Sequence, residues 1–498
     1  MRGQGCHVWD TQGRQYVDFI GGLGCNILGY ANQEVNAAVI DRMNKGATLS
    51  LATPLEVECA EKVKEIFPFI DRVKFLKTGS DACSAAIKIA RAFHGVGKEN
   101  EEMYGLLGNK EFTRVSSRFI EEGWVSDKMQ IVCEKISVSA ESNGDQEEGA
   151  GEVFCDPIGA SVRKTPCSEK TGKNCSTRSE QNILLGSKKP NEEAMSSMCR
   201  DELSGTSPLL FEATGRGVAV PNPSRRKTPR VLILSDGYHG HHDAFVSLAA
   251  PHVGTVKDPY MLPLTGNEDL ISVAAAVIIE PIMTEMSDGR LEWLKALRER
   301  CTRNGALLIF DEVITGFRFP KLSVSNYYGI APDLICMGKA MANGLPISVV
   351  GGKKEVMECG EYFVSSTFAG ETLSLAAALK TMTLLQSNKY DMVYLWEKGR
   401  KFITEFNLIA PEIAIIEGYP TRGALKGEPL PKALFMQEAC KAGLLFGPSW
   451  FFNFKHIDVM DAVLNTCRDI MTRIRTGSVA LEGELPRQPF AAALREQK

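Results

Sequence analysis

Residues 306–346 read ALLIFDEVITGFRFPKLSVSNYYGIAPDLICMGKAMANGLP, and they indicate the architecture of the protein. The segment begins with a short apolar run, residues 306–310, which is typical of a fully buried parallel strand. The run ends at Asp311 and Glu312. Open α/β sheets place their ligands at the carboxyl ends of such strands. The segment therefore predicts a buried strand of an α/β sheet that leads into a polar site.

A second apolar run, residues 333–337, ends at Gly338 and Lys339. A lysine just past a buried strand, beside a glycine that lets a ligand come close, is a candidate for covalent chemistry. Desolvation there lowers the pKa of a lysine and frees its lone pair for a Schiff base. The pattern alone leaves two alternatives open, a lysine on a solvated loop and an Asp311 that only caps a helix.

The two runs, DEVITGFR and PDLICMGKAMANGLP, together resemble the signature of the class III pyridoxal-phosphate aminotransferases, especially the branch of glutamate-1-semialdehyde aminomutase. In that family the lysine holds the cofactor as an internal aldimine and the aspartate contacts the pyridine nitrogen. The resemblance implies these roles for Lys339 and Asp311. An ionised carboxylate would keep the ring nitrogen protonated, so that the ring can accept electrons.

A phosphate site is predicted at residues 73–82, VKFLKTGSDA, where a strand, a Gly-Ser turn and a helix follow one another. Free backbone N–H groups and the positive end of the helix dipole make such a helix start an anion site. An ordinary helix cap is the alternative. TGSDA resembles the family's S-G-[ST]-E-A wording, with Asp81 in place of Glu. The resemblance thus implies that Gly79 and Ser80 bind the cofactor phosphate.

Two further motifs resemble the family's wording. The sequence YHGHH follows a predicted strand, and the resemblance implies that Tyr238 stacks on the pyridine ring. Residues 239–242 look like metal ligands, but adjacent histidines rarely reach one ion, so we interpret them as a structural loop and expect no metal. Glu280 and Pro281 resemble the family's Glu-Pro motif, which follows a strand. Five positions after this glutamate the family often has an asparagine near the cofactor, whereas this chain has Glu285. We take Glu285 as a candidate substrate contact.

The segment SSTFAGET, residues 365–372, resembles the family segment that extends across the dimer interface. In the family a threonine there reaches the neighbouring subunit's cofactor phosphate. The resemblance implies this role for Thr367 and hence a homodimer. Glu371 and Thr372 replace the commoner Asn-Pro. Arg422 is a candidate ligand for a substrate carboxylate, because guanidinium binds that group bidentately, although a plain surface arginine is the alternative.

Composition excludes several classes of function. The chain has 498 residues, 44% of them hydrophobic, which is enough for a large core and more than one domain. A net charge of −4 and a pI of about 6.1 give no signal for nucleic-acid binding. We found no apolar run long enough for a membrane span and no signal peptide at the start, although the family normally has more chain there. Fourteen cysteines without CxxC pairs indicate reduced thiols and a cytoplasmic location.

The resemblance implies the α/β type I pyridoxal-phosphate fold, a large domain with a mainly parallel seven-stranded sheet plus a small α+β domain. Residues 95–230 are polar, match nothing in the family and are predicted to be a long insertion, folded or partly disordered. The predicted parts are an N-terminal segment of the small domain (1–49), the cofactor-binding large domain (50–94 and 231–378), the insertion (95–230), the C-terminal small domain (379–480) and a tail (481–498).

The function that the resemblance implies is transfer of an amino group from an amino acid or amine donor to a carbonyl acceptor, with pyridoxal 5'-phosphate as cofactor. An intramolecular amino shift, as in the aminomutase, is an alternative that uses the same residues. A racemase or a decarboxylase on this scaffold is another. The insertion lies between the phosphate turn and Tyr238, so a catalytically impaired homologue also stays open.

Overall fold

Strands and helices alternate along most of the described chain. A computed structural model describes residues 1–95, 228–234, 237–242, 245, 260–360 and 362–485. The predicted insertion lies outside the described residues except at its two ends. The strands are β1 (Arg2–Gln4), β2 (His7–Trp9), β3 (Gln15–Asp18), β4 (Arg72–Leu76), β5 (Thr228–Ile233), β6 (Met261–Pro263), β7 (Ala274–Ile279), β8 (Leu307–Asp311), β9 (Leu334–Met337), β10 (Ser348–Gly352), β11 (Ile415–Tyr419), β12 (Arg422–Lys426), β13 (Leu444–Leu445) and β14 (Ser449–Phe451).

The α-helices of the described chain vary from one turn to five. Apart from the turn Gly21–Gly24, whose backbone is partly non-helical, they are α1 (Gln33–Met43), α2 (Pro54–Ile66), α3 (Gly79–Phe93), α4 (Asp288–Asn304), α5 (Val324–Tyr328), α6 (Lys354–Met357), α7 (Thr372–Leu385), α8 (Met392–Ile409), α9 (Pro429–Lys441) and α10 (Met460–Arg475). Short 3-10 helices include Lys339–Ala342, directly after β9. In the part of the chain that the structure describes, no helix is both long and apolar enough to cross a membrane.

A seven-stranded sheet forms the centre of the larger part, in the order β4-β10-β9-β8-β7-β5-β6. All its pairs are parallel except those of β10, which runs antiparallel to β9 and to β4. This confirms the predicted mainly parallel sheet. Every residue of β7 and β8 is buried, as expected for strands that are covered on both faces.

The two faces of the sheet belong to different apolar clusters. In β8, Leu308 and Phe310 pack in one cluster, and Leu307 and Ile309 pack in the other, which also contains the apolar face of α3. The alternation follows from the two-residue period of a strand. Strand β8 ends one residue later than predicted, because Asp311 still pairs with Cys336 of β9. The carboxylate therefore starts from a rigid strand end.

The N-terminal segment joins the C-terminal part of the chain in a second sheet. Strands β1, β2 and β3 are antiparallel, and β13 adds to β3 in parallel, with Leu444 opposite Val17. A third sheet has the order β11-β12-β14. An aromatic cluster fills the space beside them: the Phe19 ring lies 4.8 Å from that of Phe446 and 4.4 Å from that of His456. Burial of such large rings stabilises this part.

Candidate active site

Asp311 is a buried carboxylate with three hydrogen-bond donors. Its Oδ2 atom lies 2.8 Å from His239 Nδ1 and accepts from Cys83 Sγ at 3.3 Å, and its Oδ1 accepts from the Val313 backbone N–H at 3.0 Å. Burial alone would raise the pKa of Asp311, but the hydrogen bond and charge of His239, with the charge of Lys339, hold it below its usual value. Asp311 is therefore ionised.

His239 is the cationic partner of this carboxylate. Burial opposes its charge, but the hydrogen bond with Asp311 and the neighbouring Asp311 and Cys83 groups raise its pKa to about 10. The imidazole thus carries both ring protons near neutral pH, and Nδ1–H donates to Asp311. The other ring nitrogen, Nε2, is buried and has no hydrogen-bond partner among the described residues. A buried cation held by one carboxylate makes this pair sensitive to the loss of either partner.

Cys83, His239 and Asp311 carry ligand atoms that all lie within 4.8 Å of one another, a grouping that could hold a metal ion. The contact with Cys336 and burial raise the pKa of the Cys83 thiol well above its usual value. Cys83 Sγ donates to Asp311 Oδ2, and His239 Nδ1 lies 2.8 Å from the same oxygen, so hydrogen bonds among the three side chains account for the grouping. We therefore interpret the three side chains as a hydrogen-bonded network that orients Asp311.

Lys339 follows β9, the neighbour of β8, and begins the short helix Lys339–Ala342. Its φ of 40° lies in the left-handed region, which costs a non-glycine residue about 1–3 kcal/mol. Its charge lowers the pKa of Asp311 and opposes the effect of burial on Cys25, so the ammonium lies near both. Strain of this kind clusters at functional sites.

Asn343 anchors the loop that follows the lysine. The side chain is buried, its Oδ1 accepts from the Leu28 backbone N–H at 2.8 Å, and its Nδ2 donates to the Gly29 carbonyl at 3.0 Å. Its φ of 46° is one that asparagine tolerates better than most residues. The loop after Lys339 is thereby attached to the N-terminal segment, which forms one side of the candidate site.

The predicted phosphate turn is the start of α3. Thr78 caps the helix: its Oγ1 accepts from the Asp81 N–H at 3.1 Å, and its carbonyl accepts from the Ala82 N–H at 3.1 Å. Gly79 and Ser80 are then the residues of the first turn whose N–H groups have no acceptor among the described residues. A Cβ at Gly79 would lie 2.7 Å from Val313 Cγ1, so only glycine fits there.

The loop at 237–242 packs directly on this turn. The His241 N–H donates to Ser80 Oγ at 3.2 Å, and His241 Nδ1 lies 3.1 Å from the same oxygen. Gly240 has a φ of 115°, and a Cβ there would lie 2.2 Å from Ser80 Oγ. Tyr238 donates its N–H to Glu280 at 3.2 Å, and its side chain is 52% exposed. The backbone of Tyr238 thus lies beside the end of β7, and its side chain is exposed.

The remaining predicted residues lie at different places. Glu285 is exposed, accepts from Ser287 Oγ at 2.5 Å and lines a cavity of about 560 Å³ whose lining includes neither Lys339 nor Asp311. Thr367 is exposed on the segment before α7. Arg422 begins β12; it is half-buried, and its Nε has no partner among the described residues. Burial and the charge of Asp311 raise the pKa of Glu280, and the charge of Arg422 partly opposes this rise, so Arg422 lies near the end of β7.

The sequence model of the family described as aminotransferase class-III matches residues 1–261 and 267–466. The chain belongs to the class III aminotransferase family. Membership confirms the predicted family and fold, an enzyme of the aminotransferase type, and pyridoxal phosphate as cofactor. The aminomutase-like branch is also supported, because a glutamate-1-semialdehyde 2,1-aminomutase of Syntrophobacter fumaroxidans is 24% identical over 91% of this chain and 83% of that relative.

Solved structures agree on the fold of this class III chain. The FumI protein of Sphingopyxis sp. MTA144, in its PLP internal aldimine form, superposes with a TM-score of 0.63 at 18% identity, covering 98% of this chain and 90% of that one. The ornithine aminotransferase of Toxoplasma gondii ME49 also has a TM-score of 0.63 at 18% identity, covering 96% and 91%. At this level of identity the likeness is one of fold.

The residues of this class III chain fit pyridoxal phosphate. A carboxylate accepts about four hydrogen bonds, and the described residues use three at Asp311, so capacity remains for a ring N–H. The free N–H groups at Gly79 and Ser80 suit a phosphate. Lys339 lies within electrostatic reach of Asp311, at the end of the neighbouring parallel strand. The ring nitrogen, the phosphate and the carbonyl group of the cofactor thus each have a matching protein group, namely Asp311, the N–H groups of Gly79 and Ser80, and Lys339.

Sequence reasoning missed three buried polar residues near the site. The sequence places His239 only in a loop interpreted as structural, and it gives Cys83 no role beyond that of a reduced thiol. Arg318 is 1% exposed and donates to the carbonyls of Gly24, Thr421 and Phe452. Burial lowers its pKa to about 10. The only sequence signal for these residues was their position within the motifs YHG, TGSDAC and TGFR.

Proposed function

We propose that the protein transfers an amino group from an amino acid or amine to a carbonyl acceptor, with Lys339 as the cofactor-binding and proton-moving residue and Asp311 as the partner of the ring nitrogen. The observation that carries the proposal is the buried ion pair of Asp311 and His239 at the end of β8, beside Lys339 at the end of β9. An aminotransferase needs this arrangement of one fixed negative charge and one mobile amine.

The electrostatic role falls to Asp311. When bound, pyridoxal phosphate supplies an electron sink that stabilises negative charge next to the substrate nitrogen. Asp311 keeps a proton on the ring nitrogen, because an ionised carboxylate favours the protonated partner. His239 and Cys83 fix the direction of Oδ2, so the carboxylate does not have to reorganise during the reaction.

Lys339 moves the proton. With cofactor and substrate bound, the Lys339 Nζ amine would act as general base and acid, taking a proton from the substrate carbon and holding it for return. Its place on a short helix after a buried strand supports the role, since a rigid backbone limits where the amine can go. Gly79 and Ser80 bind the phosphate, and Tyr238 packs on the ring.

We propose that the enzyme is a homodimer in which Thr367 reaches the neighbouring subunit's cofactor. Thr367 is exposed in its own subunit. Large apolar side chains are also exposed near it, including Leu51 at 83% and Phe363 at 84%. The segment 366–372 and residues 46–51 adjoin, because the Thr372 N–H donates to the Ala47 carbonyl at 2.8 Å. Exposed apolar groups of this kind mark interaction sites.

Two substrate contacts and the cellular location also belong to the proposal. Arg422 lies near Glu280, and its Nε has no partner among the described residues, which supports binding of a substrate carboxylate. Glu285 is proposed as a substrate contact only through the cavity that it lines. A cytoplasmic location is proposed from the cysteine pattern of the sequence, which has fourteen cysteines without CxxC pairs. We keep the predicted division into domains as part of this proposal.

The second candidate function is an intramolecular amino shift. It is favoured by the name of the Syntrophobacter relative, a glutamate-1-semialdehyde 2,1-aminomutase. The two reactions use the same lysine and aspartate and differ in whether the intermediate amine leaves the site. Substrate tests separate them: an aminotransferase needs a donor and an acceptor, whereas a mutase converts one compound without a second.

The first experiment is an absorbance titration of wild type and Lys339→Ala with pyridoxal phosphate. We expect a band at the violet edge of the visible spectrum that requires Lys339 and is bleached by an amino donor. A band that no amine bleaches would contradict the aminotransferase and leave the mutase. Absence of any Lys339-dependent band would overturn both.

The dimer proposal has its own test. A mixture of Lys339→Ala and Thr367→Ala subunits contains heterodimers with one intact site, because the Thr367→Ala subunit supplies the lysine and its partner supplies the threonine. Activity in the remixed sample above the mean of the two variants is expected. No recovery after verified subunit exchange would show that Thr367 does not act across the interface.

A further inference from the structure

A partly buried ion pair joins Lys77 to Glu371. Lys77 Nζ donates to Glu371 Oε1 at 2.7 Å, and the two side chains are only 14% and 12% exposed. The same ammonium donates to the Pro346 carbonyl at 3.0 Å. Burial would raise the pKa of Glu371, but the hydrogen bond from Lys77 and those at the helix start hold it below its usual value. The pair is therefore ionised.

Each partner is fixed by its own element. Lys77 directly precedes Thr78, whose carbonyl accepts from Ser348 Oγ at 2.6 Å and whose side chain caps α3. Glu371 caps α7, with Oε1 accepting from the Ser374 N–H at 3.0 Å and Oε2 from the Leu373 N–H at 2.8 Å. A short rigid connection thus runs from one helix start to the other.

Three segments of the proposed cofactor site meet at this ammonium. Lys77 leads into the turn at Gly79 and Ser80, Pro346 ends the loop that follows Lys339, and Glu371 ends the segment that carries Thr367. The Glu371 N–H donates to the Phe368 carbonyl at 3.2 Å, so the turn beside Thr367 is closed by the same residue. The Lys77 ammonium therefore links three backbone segments through one charged group.

We propose that Lys77 is a positioning residue that holds the phosphate turn, the loop after Lys339 and the Thr367 segment in the geometry that binds the cofactor, acting through Glu371 and the Pro346 carbonyl. The inference rests on the proposed function. It goes further because neither residue contacts the cofactor in that proposal.

The test compares Lys77→Met, Glu371→Gln and the double variant in the full chain. Apoprotein is titrated with pyridoxal phosphate, and kcat and the donor KM are then measured at saturating cofactor. We expect Lys77→Met to bind the cofactor at least about tenfold more weakly, because it removes the ammonium that links Glu371 to the Pro346 carbonyl. Glu371→Gln should lose less, and the double variant should be no weaker than Lys77→Met.

Arg298→Met is the matched control. It breaks another ion pair, in which Arg298 contacts Asp333 at 2.7 Å. Asp333 precedes the first residue of β9, whereas Lys339 follows the last, so this pair lies at the opposite end of the strand from Lys339. It should lower the unfolding temperature of the apoprotein without weakening cofactor binding. Equal cofactor affinity in Lys77→Met and wild type would overturn the proposal. So would an equal loss in Arg298→Met, since affinity would then follow stability alone.

The outcomes separate this inference from the proposed function. If wild type lacks a Lys339-dependent absorbance band, the proposed function fails and the positioning role fails with it. If that band is present in wild type and Lys77→Met binds cofactor normally, only the positioning role fails.

Discussion

His239 and Asp311 form a buried ion pair, with Nδ1 and Oδ2 2.8 Å apart and both side chains at most 5% exposed. The two residues come from a loop and a strand end that are 72 positions apart in the chain. A second donor, Cys83, contacts the same carboxylate oxygen. This arrangement fixes an ionised carboxylate at the centre of the candidate site, and it makes the site sensitive to pH.

The first prediction concerns pH. The pKa of His239 is raised to about 10, so its contribution to the free energy of unfolding is full below the ordinary histidine pKa of about 6.5 and is lost as pH rises through about 10. We expect the apoprotein to be less stable at pH 10 than at pH 7, measured by urea unfolding. His239→Leu should lack this part of the pH dependence. An unchanged difference between pH 7 and pH 10 in the variant would contradict the assignment.

Loss of His239 should also cost stability at neutral pH. His239→Ala leaves the buried Asp311 carboxylate without its cation, which costs about 3–5 kcal/mol. His239→Ala with Asp311→Asn removes the unpaired charge, and we expect it to be more stable than His239→Ala alone. Urea unfolding of the four proteins in the cycle measures the coupling. Additive effects would mean that the two residues do not interact.

The third prediction separates the hydrogen bond of Cys83 from its packing. Cys83→Ser keeps a donor to Asp311, whereas Cys83→Ala loses it and should lower the free energy of unfolding by about 1 kcal/mol more. The absorbance spectrum of the bound cofactor should change with pH differently in Cys83→Ala than in Cys83→Ser, because Asp311 has lost one hydrogen-bond donor in Cys83→Ala. Identical spectra and stabilities in the two variants would leave Cys83 a packing residue only.

Gly240 should tolerate no side chain. Its φ is 115°, and an added Cβ would lie only 2.2 Å from Ser80 Oγ, which would force the loop off the phosphate turn. Gly240→Ala should therefore cost more than about 3 kcal/mol and weaken cofactor binding. Gly266 is the control: its φ is 79° but nothing lies within 4 Å of an added Cβ. Gly266→Ala should cost only about 1 kcal/mol and leave cofactor binding unchanged.

Arg318 should stabilise the fold by joining three segments of the chain. Its guanidinium binds the carbonyls of Gly24, Thr421 and Phe452, which come from three distant segments. Arg318→Met should cost about 3 kcal/mol, since hydrogen bonds to a charged donor are each worth about 1.5–3 kcal/mol and some of the loss is offset by removing a buried charge. The exposed Arg468→Met should change the free energy of unfolding by less than about 0.5 kcal/mol. Equal changes in the free energy of unfolding for Arg318→Met and Arg468→Met, measured with denaturant, would rule out this stabilising role.

The sequence by itself determined the α/β class and the positions of Asp311 and Lys339 at strand ends. The reason is local: β7 and β8 are unbroken apolar runs, and only a strand covered on both faces places every side chain in a core. The start of α3 was also readable, because a strand, a glycine turn and a capped helix follow one another without interruption. The chemistry assigned to these residues came from the family's motifs.

The tertiary structure alone decided the partners of these residues. Cys83 lies 228 positions from Asp311, and Lys77 lies 294 positions from Glu371. Contacts between residues so far apart leave no periodic signal in the sequence, because periodicity records only which face of an element is buried. Whether a polar side chain is buried and paired depends on which segments the sheet order brings together. The charges at Asp311 and Glu371 are therefore properties of the fold.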